Sequence, residues 1–309
     1  MMLKYSDVYL EPRYSVLYSR ADANTSIQLG KHSFQLPIIP ANMPPVIDRT
    51  IAEYLSRNGY FYIYHRFEDT LDFVNRANEA GWPVVSISVG IKERDRQLIR
   101  DLEHAAVDFV TIDVAHGHHK LVKKMIDHVK HVLPATTLIA GNVATADAVQ
   151  DLAHWGADAV KVGIGGGAAC TTSNKTGFHI PMFSCVLSCA KGSSVPIIAD
   201  GGIRENGDIA KALVAGAHWV MTGNMFVACS DSPAETINDG DGFCKCYYGS
   251  ASQYNKSHKR HLEGRQVLIP MNGMTYREKL EEIQQDLSSS VSYAGGKDLS
   301  CLKSVRYLT

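Results

Sequence analysis

Hydrophobic residues gather along this 309-residue chain in eight short runs rich in Val, Ile and aromatic side chains. Runs that stay apolar at successive positions indicate parallel strands that are buried on both faces. The pattern therefore predicts eight strands of one parallel sheet. The runs are LPIIPA from Leu36, YFYIYH from Tyr60, VVSISV from Val84, FVTIDV from Phe109, TLIAGN from Thr137, AVKVGI from Ala159, PIIADG from Pro196 and WVMTGN from Trp219.

The segments between these runs carry apolar residues at helical spacing, and several end in glycine, which commonly stops a helix. Strand–helix units repeated eight times, about every 24 residues, predict an α/β fold of the (β/α)8 TIM-barrel type in a single domain, 1–309. An open doubly wound sheet is the alternative, but the strand count favours the barrel. The clearest predicted helices are DRTIAEYLSRNG, DTLDFVNRANEAG, ERDRQLIRDLEHA, KLVKKMIDHVKHV, TADAVQDLAHWGA and NGDIAKALVAGA.

Two long segments interrupt the repeat, and each follows the C-terminal end of a predicted strand. The first, called the Cys loop here, covers about 163–180 after the sixth strand. The second, called the flap, covers about 227–274 after the eighth strand. Long loops are often functional, and barrel enzymes carry their active sites at the C-terminal ends of the strands. We expect a mobile Cys loop and a flap that covers the site.

Composition narrows the class of function. Lys and Arg total 31 against 32 Asp and Glu, so the net charge of −1 disfavours a nucleic-acid-binding surface. The N-terminus lacks the pattern of a signal peptide, and no apolar stretch approaches the roughly 20 residues that span a membrane. Seven irregularly spaced cysteines match neither a disulfide framework nor a zinc motif. These features predict a cytoplasmic protein that binds neither nucleic acid nor membrane.

The strongest candidate for catalysis is Cys170, in the Cys loop. It follows the glycine-rich stretch GIGGG and precedes Thr171 and Thr172. Glycines let the backbone approach a ligand closely. A cysteine in a glycine- and hydroxyl-rich loop differs from the usual small core cysteine. We interpret Cys170 as a nucleophile, with a merely flexible loop as the alternative.

Glycines also follow the last two predicted strands. Asp200-Gly201-Gly202 ends the seventh strand, and Gly223-Asn224 ends the eighth. Barrel enzymes frequently bind phosphate with the loops that follow these two strands. Backbone amides there would hold a phosphate while the carboxylate binds sugar hydroxyls, which favours a nucleoside monophosphate or a similar phosphoester. Turn glycines beside a helix-capping aspartate are the alternative.

The fourth predicted strand ends in a histidine-rich motif that has two interpretations. Asp113 is followed closely by His116, His118 and His119, a set that could bind a catalytic metal in a hydrolase. Apart from His65, no further ligand stands clearly at another strand end. We therefore favour a ligand contact through Asp113 over a metal site.

Glu263-Gly264-Arg265 lies within the charged flap segment KSHKRHLEGRQV. A charge run of this kind is usually a solvated surface. On a mobile flap it could instead bring an acid and a base over the pocket. Both interpretations remain open at this point.

Taken together, the chain resembles the IMP dehydrogenase/GMP reductase family. The resemblance rests on the glycine loop that leads into Cys-Thr-Thr, on ADGGIR and on the Glu-Gly of the flap. It is closest to the bacterial-type reductases of the family, because no CBS insert separates the second and third strands and the flap lacks an Arg-Tyr pair. Further matching stretches are LGKHSFQLPIIPANM, GYFYIYHRF, VVSISVG, TIDVAHGH, AGNVATADAV, GADAVKVGIG, GDIAKALVAGA, YYGSAS and SSSVSYAGG.

The resemblance implies NADPH-dependent reductive deamination of GMP to IMP and ammonia. In that chemistry Cys170 attacks C2 of the purine, while Thr172 and Glu263 deliver a proton to the departing ammonia. The residues that the resemblance implies for GMP binding are Asp200, Gly201, Gly202, Gly223, Asn224, Gly249, Ser250, Ala251, Arg260 and Gly264.

The resemblance also implies a cofactor site, a cation site and an oligomer. Ser19 and Arg20 match positions that reach the cofactor of a neighbouring subunit, which implies a homo-oligomer, a tetramer. Carbonyls of Gly165, Gly167 and Cys170 match a site for a monovalent cation, with K⁺ as the candidate. The residues implied for NADPH binding are Ser19, Arg20, Arg66, Asp113, Val114, Ala115, Ile164 and Gly165.

Two alternatives to the reductase remain within this resemblance. One is an IMP dehydrogenase without CBS modules. The other is a purine-nucleotide-binding barrel whose chemistry has decayed. Ala168 motivates the second, because many family members have a phosphate-binding serine there. The shortened segment after Gly177 also motivates it, and Gly166 stands where the family commonly has a proline.

Overall fold

Seven parallel strands form the central sheet of the structure, a computed structural model that describes residues 2–238, 240, 242–252 and 263–309. The strands in chain order are β1 (Tyr9–Leu10), β2 (Ile27–Leu29), β3 (His32–Phe34), β4 (Ile38–Pro40), β5 (Ser86–Val89), β6 (Phe109–Asp113), β7 (Thr137–Val143), β8 (Ala159–Val162), β9 (Ile197–Asp200), β10 (Trp219–Thr222), β11 (Thr236–Asn238), β12 (Phe243–Tyr248), β13 (Gln266–Pro270) and β14 (Tyr307–Leu308). The central sheet has the order β4-β10-β9-β8-β7-β6-β5, and every pairing within it is parallel.

These seven strands coincide with seven of the eight predicted runs. Nearly all of their residues are buried, as the unbroken apolar character of the runs predicted. Two short antiparallel pairs, β2 with β3 and β1 with β14, lie outside the central sheet. The prediction of an α/β fold with a buried parallel sheet is therefore confirmed.

The second predicted strand, 60–65, is not an extended member of the sheet. Its one bridge joins Tyr64 to Ile87 of β5, beside a hydrogen bond from the Tyr64 amide to the Ser86 carbonyl (3.1 Å). Near Val84, a side chain takes the place of a backbone hydrogen bond between strands, because the Tyr62 hydroxyl donates to the Val84 carbonyl (2.9 Å). A backbone group that a side chain already satisfies does not need a strand partner. This segment still lies in the core, at the β5 edge of the sheet.

The helices confirm the predicted strand–helix rhythm. All six of the clearest predicted helices are present. Gly59, Gly81, Gly156 and Gly216 follow four of them with positive φ of 70°, 62°, 113° and 107°, conformations that glycine adopts without steric cost. Within the described residues, no helix is both long and apolar enough to span a membrane. The helices are α1 (Arg49–Arg57), α2 (Thr70–Glu79), α3 (Glu93–Asp101), α4 (Lys120–Val132), α5 (Ala146–His154), α6 (Thr172–Thr176), α7 (Met182–Ala190), α8 (Asn206–Val214), α9 (Asn224–Val227) and α10 (Tyr276–Tyr293), with 3-10 turns at Tyr5–Asp7, Arg20–Asp22 and Leu299–Ser304.

The flap contains regular structure that its polar sequence did not reveal. Strands β11, β12 and β13 form a three-stranded antiparallel sheet. Lys245 of β12 is 2% exposed, and its ammonium donates to the carbonyls of Ser230 (3.0 Å), Ser232 (3.1 Å) and Ala234 (3.3 Å). These bonds join β12 to the first part of the flap, the loop that follows α9. The flap residues 253–262 lie outside the described part of the chain.

Candidate active site

Two adjoining cavities lie at the C-terminal ends of the central strands. The first has a volume of about 350 Å³ and the second of about 610 Å³. Both volumes lie within the range of roughly 300–1,000 Å³ that is typical of small-molecule sites. The residues that line both cavities are Gly165, Gly166, Gly167, Cys170 and Tyr247. The predicted nucleophile therefore stands where the two cavities meet.

Cys170 begins a chain of polar contacts. Its thiol donates to the Thr172 hydroxyl (Sγ–Oγ1 3.2 Å), and that hydroxyl donates to the Glu263 carboxylate (Oγ1–Oε2 2.7 Å). Thr172 opens α6 and is buried, while Cys170 is partly exposed. A thiol, a hydroxyl and a carboxylate in series give a nucleophile next to a proton-transfer pathway. The three predicted catalytic residues thus lie together.

Backbone pairing brings the flap to the Cys loop. Thr171 N donates to the carbonyl of Glu263 (2.8 Å), and Arg265 N donates to the carbonyl of Ala169 (2.9 Å). The resulting antiparallel bridge joins Cys170 to Gly264. These bonds use main-chain atoms, so the position of the Glu263 carboxylate is determined by the backbone rather than by a long free side chain.

Residues 249–251 line the first cavity, as predicted. Their loop packs tightly against the flap, because Glu263 N donates to the Ala251 carbonyl (3.2 Å). A Cβ atom at Gly264 would lie 2.9 Å from Ser252 N, closer than real Cβ atoms approach. Gly264 therefore permits the close packing of the two segments rather than lining either cavity itself.

The predicted phosphate loops surround the second cavity. Gly201, Gly202, Gly223 and Asn224 all line it. Gly201 and Gly202 have φ of +96° and +79°, and Gly202 N donates to the carbonyl of Gly166 (3.0 Å). The loops after β8, β9 and β10 therefore meet around the second cavity, and their glycines expose the backbone to it.

The structure makes a quantitative prediction about Gly202. A Cβ atom there would lie 2.9 Å from Cγ of Met182, whereas a Cβ at Gly192, with a nearly equal φ of +81°, would meet nothing within 4 Å. Gly202→Ala and Gly192→Ala therefore share a left-handed backbone cost of about 1–2 kcal/mol. Crowding adds about 1–3 kcal/mol at Gly202 alone. Urea denaturation of both variants measures that difference, and equal losses of stability would contradict this packing.

Three cationic side chains also border the second cavity. Lys4, Arg204 and Arg265 line it, and none of them forms an ion pair with a carboxylate in the described part of the chain. Asp208 lines it as well, but its carboxylate contacts Lys211 (3.4 Å) and accepts from backbone amides before α8. The cavity therefore favours an anionic group.

A buried lysine connects the polar side chains of the first cavity. Lys161 of β8 is 1% exposed, and its Nζ lies 2.9 Å from Asp113 Oδ1 and 3.0 Å from Asp200 Oδ2. Burial lowers the pKa of Lys161, but the two carboxylates outweigh that effect and raise it. Burial likewise raises the pKa of Asp113, but Lys161 and Arg66 outweigh it and hold this pKa below its usual range. Lys161 and Asp113 are therefore both charged at neutral pH.

Two asparagines complete this network. Asn42 Nδ2 donates to Asp113 Oδ2 (3.1 Å), and Asn142 Nδ2 donates to Asp200 Oδ2 (2.8 Å). Oδ1 of Asp200 has no hydrogen-bond partner among the described residues, and the side chain is 22% exposed toward the first cavity. That oxygen is therefore available to accept from a ligand hydroxyl.

Sequence reasoning did not identify Lys161, Asn42 or Asn142. Lys161 left one signal, because it is the one charged residue inside the apolar run AVKVGI. A lysine in a strand that is buried on both faces needs an anionic partner. The partners stand on β6 and β9, so their identity depended on the strand order.

The predicted cofactor residues fall into two groups. Arg66 borders the first cavity beside Asp113, and its Nε is buried without a hydrogen-bond partner among the described residues. Ser19 and Arg20 line neither cavity of this chain, and Arg20 lies over the ring of Tyr293 (5.2 Å). The other predicted cofactor residues that line the first cavity are Val114, Ala115, Ile164 and Gly165.

The remaining predictions concern a metal site, a cation site and Arg260. No group of three or more His, Cys, Asp or Glu side chains that could hold a metal ion occurs in the described ranges. His118 instead contacts Asp151 (2.8 Å), and His119 accepts from Leu121 N at the start of α4. The K⁺ site stays a prediction, although the Gly167 carbonyl accepts from Cys170 N. Arg260 lies outside the described residues.

Comparison with known proteins agrees with this geometry. Residues 2–309 match the model of the IMP dehydrogenase / GMP reductase domain family. The chain is 48% identical to the GMP reductase of Streptococcus suis (strain 98HAH33), over 98% of this chain and 94% of that protein. It is also 48% identical, with the same coverage, to the GMP reductase of Streptococcus pyogenes serotype M3. The chain belongs to the IMP dehydrogenase/GMP reductase family.

Proposed function

We propose that the chain is a GMP reductase, an NADPH-dependent oxidoreductase of purine metabolism that converts GMP to IMP and ammonia. The observation that carries the proposal is the chain of contacts from Cys170 through Thr172 to Glu263, at the junction of two cavities. The 48% identity to GMP reductases supports the same activity.

Cys170 acts as the nucleophile. Its sulfur borders both cavities, so it reaches C2 of a purine that spans the junction. Addition of the thiolate to C2 and loss of the amino group leave a thioimidate on the enzyme. A later hydride addition at C2, followed by expulsion of the thiolate, gives IMP. Covalent catalysis thereby divides one difficult substitution into two easier steps.

Thr172 and Glu263 deliver the proton that the leaving amino group requires. The hydroxyl lies between sulfur and carboxylate, at 3.2 Å and 2.7 Å, so it donates toward either group without moving far. Protonation turns a poor leaving group into ammonia. General acid catalysis of this kind typically contributes about 10²–10⁴ in rate.

The second cavity accepts the phosphate of GMP. Lys4, Arg204 and Arg265, which form no ion pair among the described residues, provide a positive environment for a dianion, and Gly201 and Gly223 let it approach the backbone closely. Ala168 lacks the hydroxyl that many relatives supply at this position, a contact worth about 1–3 kcal/mol at most.

The ribose of GMP is proposed to bind Asp200. Its available Oδ1 accepts a ribose hydroxyl, while Asn142 and Lys161 hold Oδ2. The purine then reaches across the cavity junction to Cys170, with the loop 249–251 on its other side. Asp200 and the loop 249–251 therefore position GMP and take no part in bond making or breaking.

The first cavity fits NADPH beside the purine. Arg66, whose Nε has no hydrogen-bond partner among the described residues, gives this cavity a positive charge that suits an anionic group of the cofactor. Val114, Ala115, Ile164 and Gly165 offer a small, mostly apolar wall. NADPH supplies the hydride that reduces C2. Asp113 and Arg66 hold and orient it, and the apolar wall excludes water from the reacting carbon.

The function also fits a closed (β/α)8 barrel and a homotetramer. We propose that segment 60–65 closes the barrel as its eighth strand, since it lies beside β5 and comes between β4 and β5 in the chain.

An exposed apolar strip near Ser19 supports an interface with a neighbouring subunit, because Tyr14 and Tyr18 are 89% and 106% exposed. Ser19 and Arg20 would reach the cofactor of that subunit.

The experiment that tests this function follows NADPH oxidation by the purified protein. GMP, IMP and XMP are added separately, and IMP with NAD⁺ is tested in parallel. We expect oxidation with GMP alone. Formation of XMP from IMP and NAD⁺ would instead identify a dehydrogenase, and tight GMP binding without any product would identify a decayed barrel.

A further inference from the structure

Lys161 joins two groups that the proposed function uses separately. Asp113 stands on the cofactor side of the first cavity and Asp200 on the ribose side, and the same ammonium contacts both carboxylates. We infer that Lys161 is a positioning residue for both ligands at once, because it keeps each carboxylate ionised and correctly oriented. The inference rests on the proposed function for the identity of the two ligands.

The charges around Lys161 explain why the lysine is needed. The two carboxylate oxygens that contact its ammonium lie within about 6 Å of each other, a separation at which like charges oppose ionisation of both groups. The ammonium between them is 1% exposed and the carboxylates are only partly exposed, so water screens this repulsion less than it would at the surface. Removal of the cation should therefore force one carboxylate to take up a proton.

Neighbouring groups decide which carboxylate takes the proton. The guanidinium of Arg66 acts on Asp113 and keeps that carboxyl ionised. Besides Lys161 and Asp113, the phenols of Tyr5 and Tyr247 lie near Asp200, and burial raises the pKa of both, so they stay neutral. Without the lysine, Asp200 has no cationic partner in the described part of the chain and should be the group that protonates.

The contact of the Lys161 ammonium with both carboxylates is called the charge bridge here, and Lys161→Met tests it without any ligand. Because the pKa of Asp200 would lie above its unfolded value near 3.9, the variant should be most stable at low pH and lose stability as pH rises through the raised pKa. For one proton, the unfolding equilibrium constant relative to wild type should rise up to tenfold per pH unit in that window. Urea denaturation between about pH 5 and pH 8 measures this slope.

Lys245→Met provides the matched control. Lys245 is equally buried, but among the described residues its ammonium contacts three backbone carbonyls and no carboxylate. Burial lowers the pKa of Lys245. Over the pH range in which its ammonium stays protonated, the loss of Lys245 should lower stability by an amount that does not change with pH. If Lys161→Met behaves in the same way as this control, the charge bridge is wrong.

Binding measurements test the positioning role. GMP titrated calorimetrically into Lys161→Met should bind at least tenfold more weakly than to wild type near pH 6, where Asp200 is protonated, with a smaller difference near pH 8. The KM for NADPH should also rise, and the KM for GMP should rise by a larger factor than kcat falls, because the Cys170 contacts are unchanged. Wild-type affinity for both ligands would overturn the inference.

Two further results separate the possible failures. If Lys161→Met does not fold, the double variant with Asp200→Asn should fold and show no pH-dependent loss, because the unpaired charge is gone. A double variant that also fails to fold would count against the bridge. If the wild-type protein never converts GMP, the proposed function is wrong. The charge bridge is tested separately, because the pH dependence of stability is measured without ligand.

Discussion

Replacing Cys170 by alanine should abolish GMP turnover while GMP binding is retained. In the proposed mechanism the sulfur forms the covalent bond to C2, so its removal should lower kcat by on the order of 10⁴-fold or more. The loops and the Asp200 side chain that are proposed to hold the nucleotide do not depend on the thiol for their conformation. Steady-state NADPH oxidation and calorimetric GMP titration measure the two quantities.

Cys301→Ala is the matched control for this variant. Cys301 is also partly exposed, but it lies at the C-terminal 3-10 turn and lines neither of the two cavities. Its replacement should leave both turnover and binding near wild type. A folded Cys170→Ala protein that retains more than about one hundredth of the activity would argue against covalent catalysis.

The second large effect is expected at Glu263. Glu263→Gln keeps the shape of the side chain but removes the carboxylate that accepts from the Thr172 hydroxyl (2.7 Å). Protonation of the leaving amino group should fail, so kcat with GMP should fall by about 10²–10⁴-fold. The flap should keep its position, because main-chain atoms of Glu263 make the bonds to Thr171 and Ala251.

A partial reaction shows whether Glu263 is needed for deamination or for hydride transfer. IMP and NADP⁺ run the hydride step in reverse, and that step neither takes up nor releases ammonia. Glu263→Gln should therefore still form one equivalent of NADPH per active site from IMP and NADP⁺. Glu235→Gln, at an exposed flap position, is the control that should behave as wild type. Equal loss of both steps would mean that Glu263 supports the flap rather than the proton transfer.

Much of the fold could be predicted because it depends on local patterns. Buried parallel strands are apolar throughout, and amphipathic helices with glycine stops appear directly in the sequence. The segment 60–65 shows the limit, because its apolar run could not reveal that the Tyr62 hydroxyl would satisfy the Val84 carbonyl. The flap strands were missed because a small antiparallel sheet at the surface needs no continuous apolar run.

The site was predictable only in part, for a related reason. Cys170 and Thr172 are neighbours in sequence, but Glu263 reaches them across 91 positions through backbone pairing of the flap. The resemblance to a family supplied that connection. The network around Lys161 depends on the order of four strands, so no spacing in the sequence predicted its partners.

Reductive deamination of GMP at Cys170 is the core of the proposed function. The most direct measurement quantifies NADP⁺, ammonia and IMP together during GMP turnover, with the Cys170→Ala variant in parallel. We expect the three products in equal amounts from the wild type and none from the variant. NADPH oxidation without matching ammonia, or equal product from Cys170→Ala, would contradict the account.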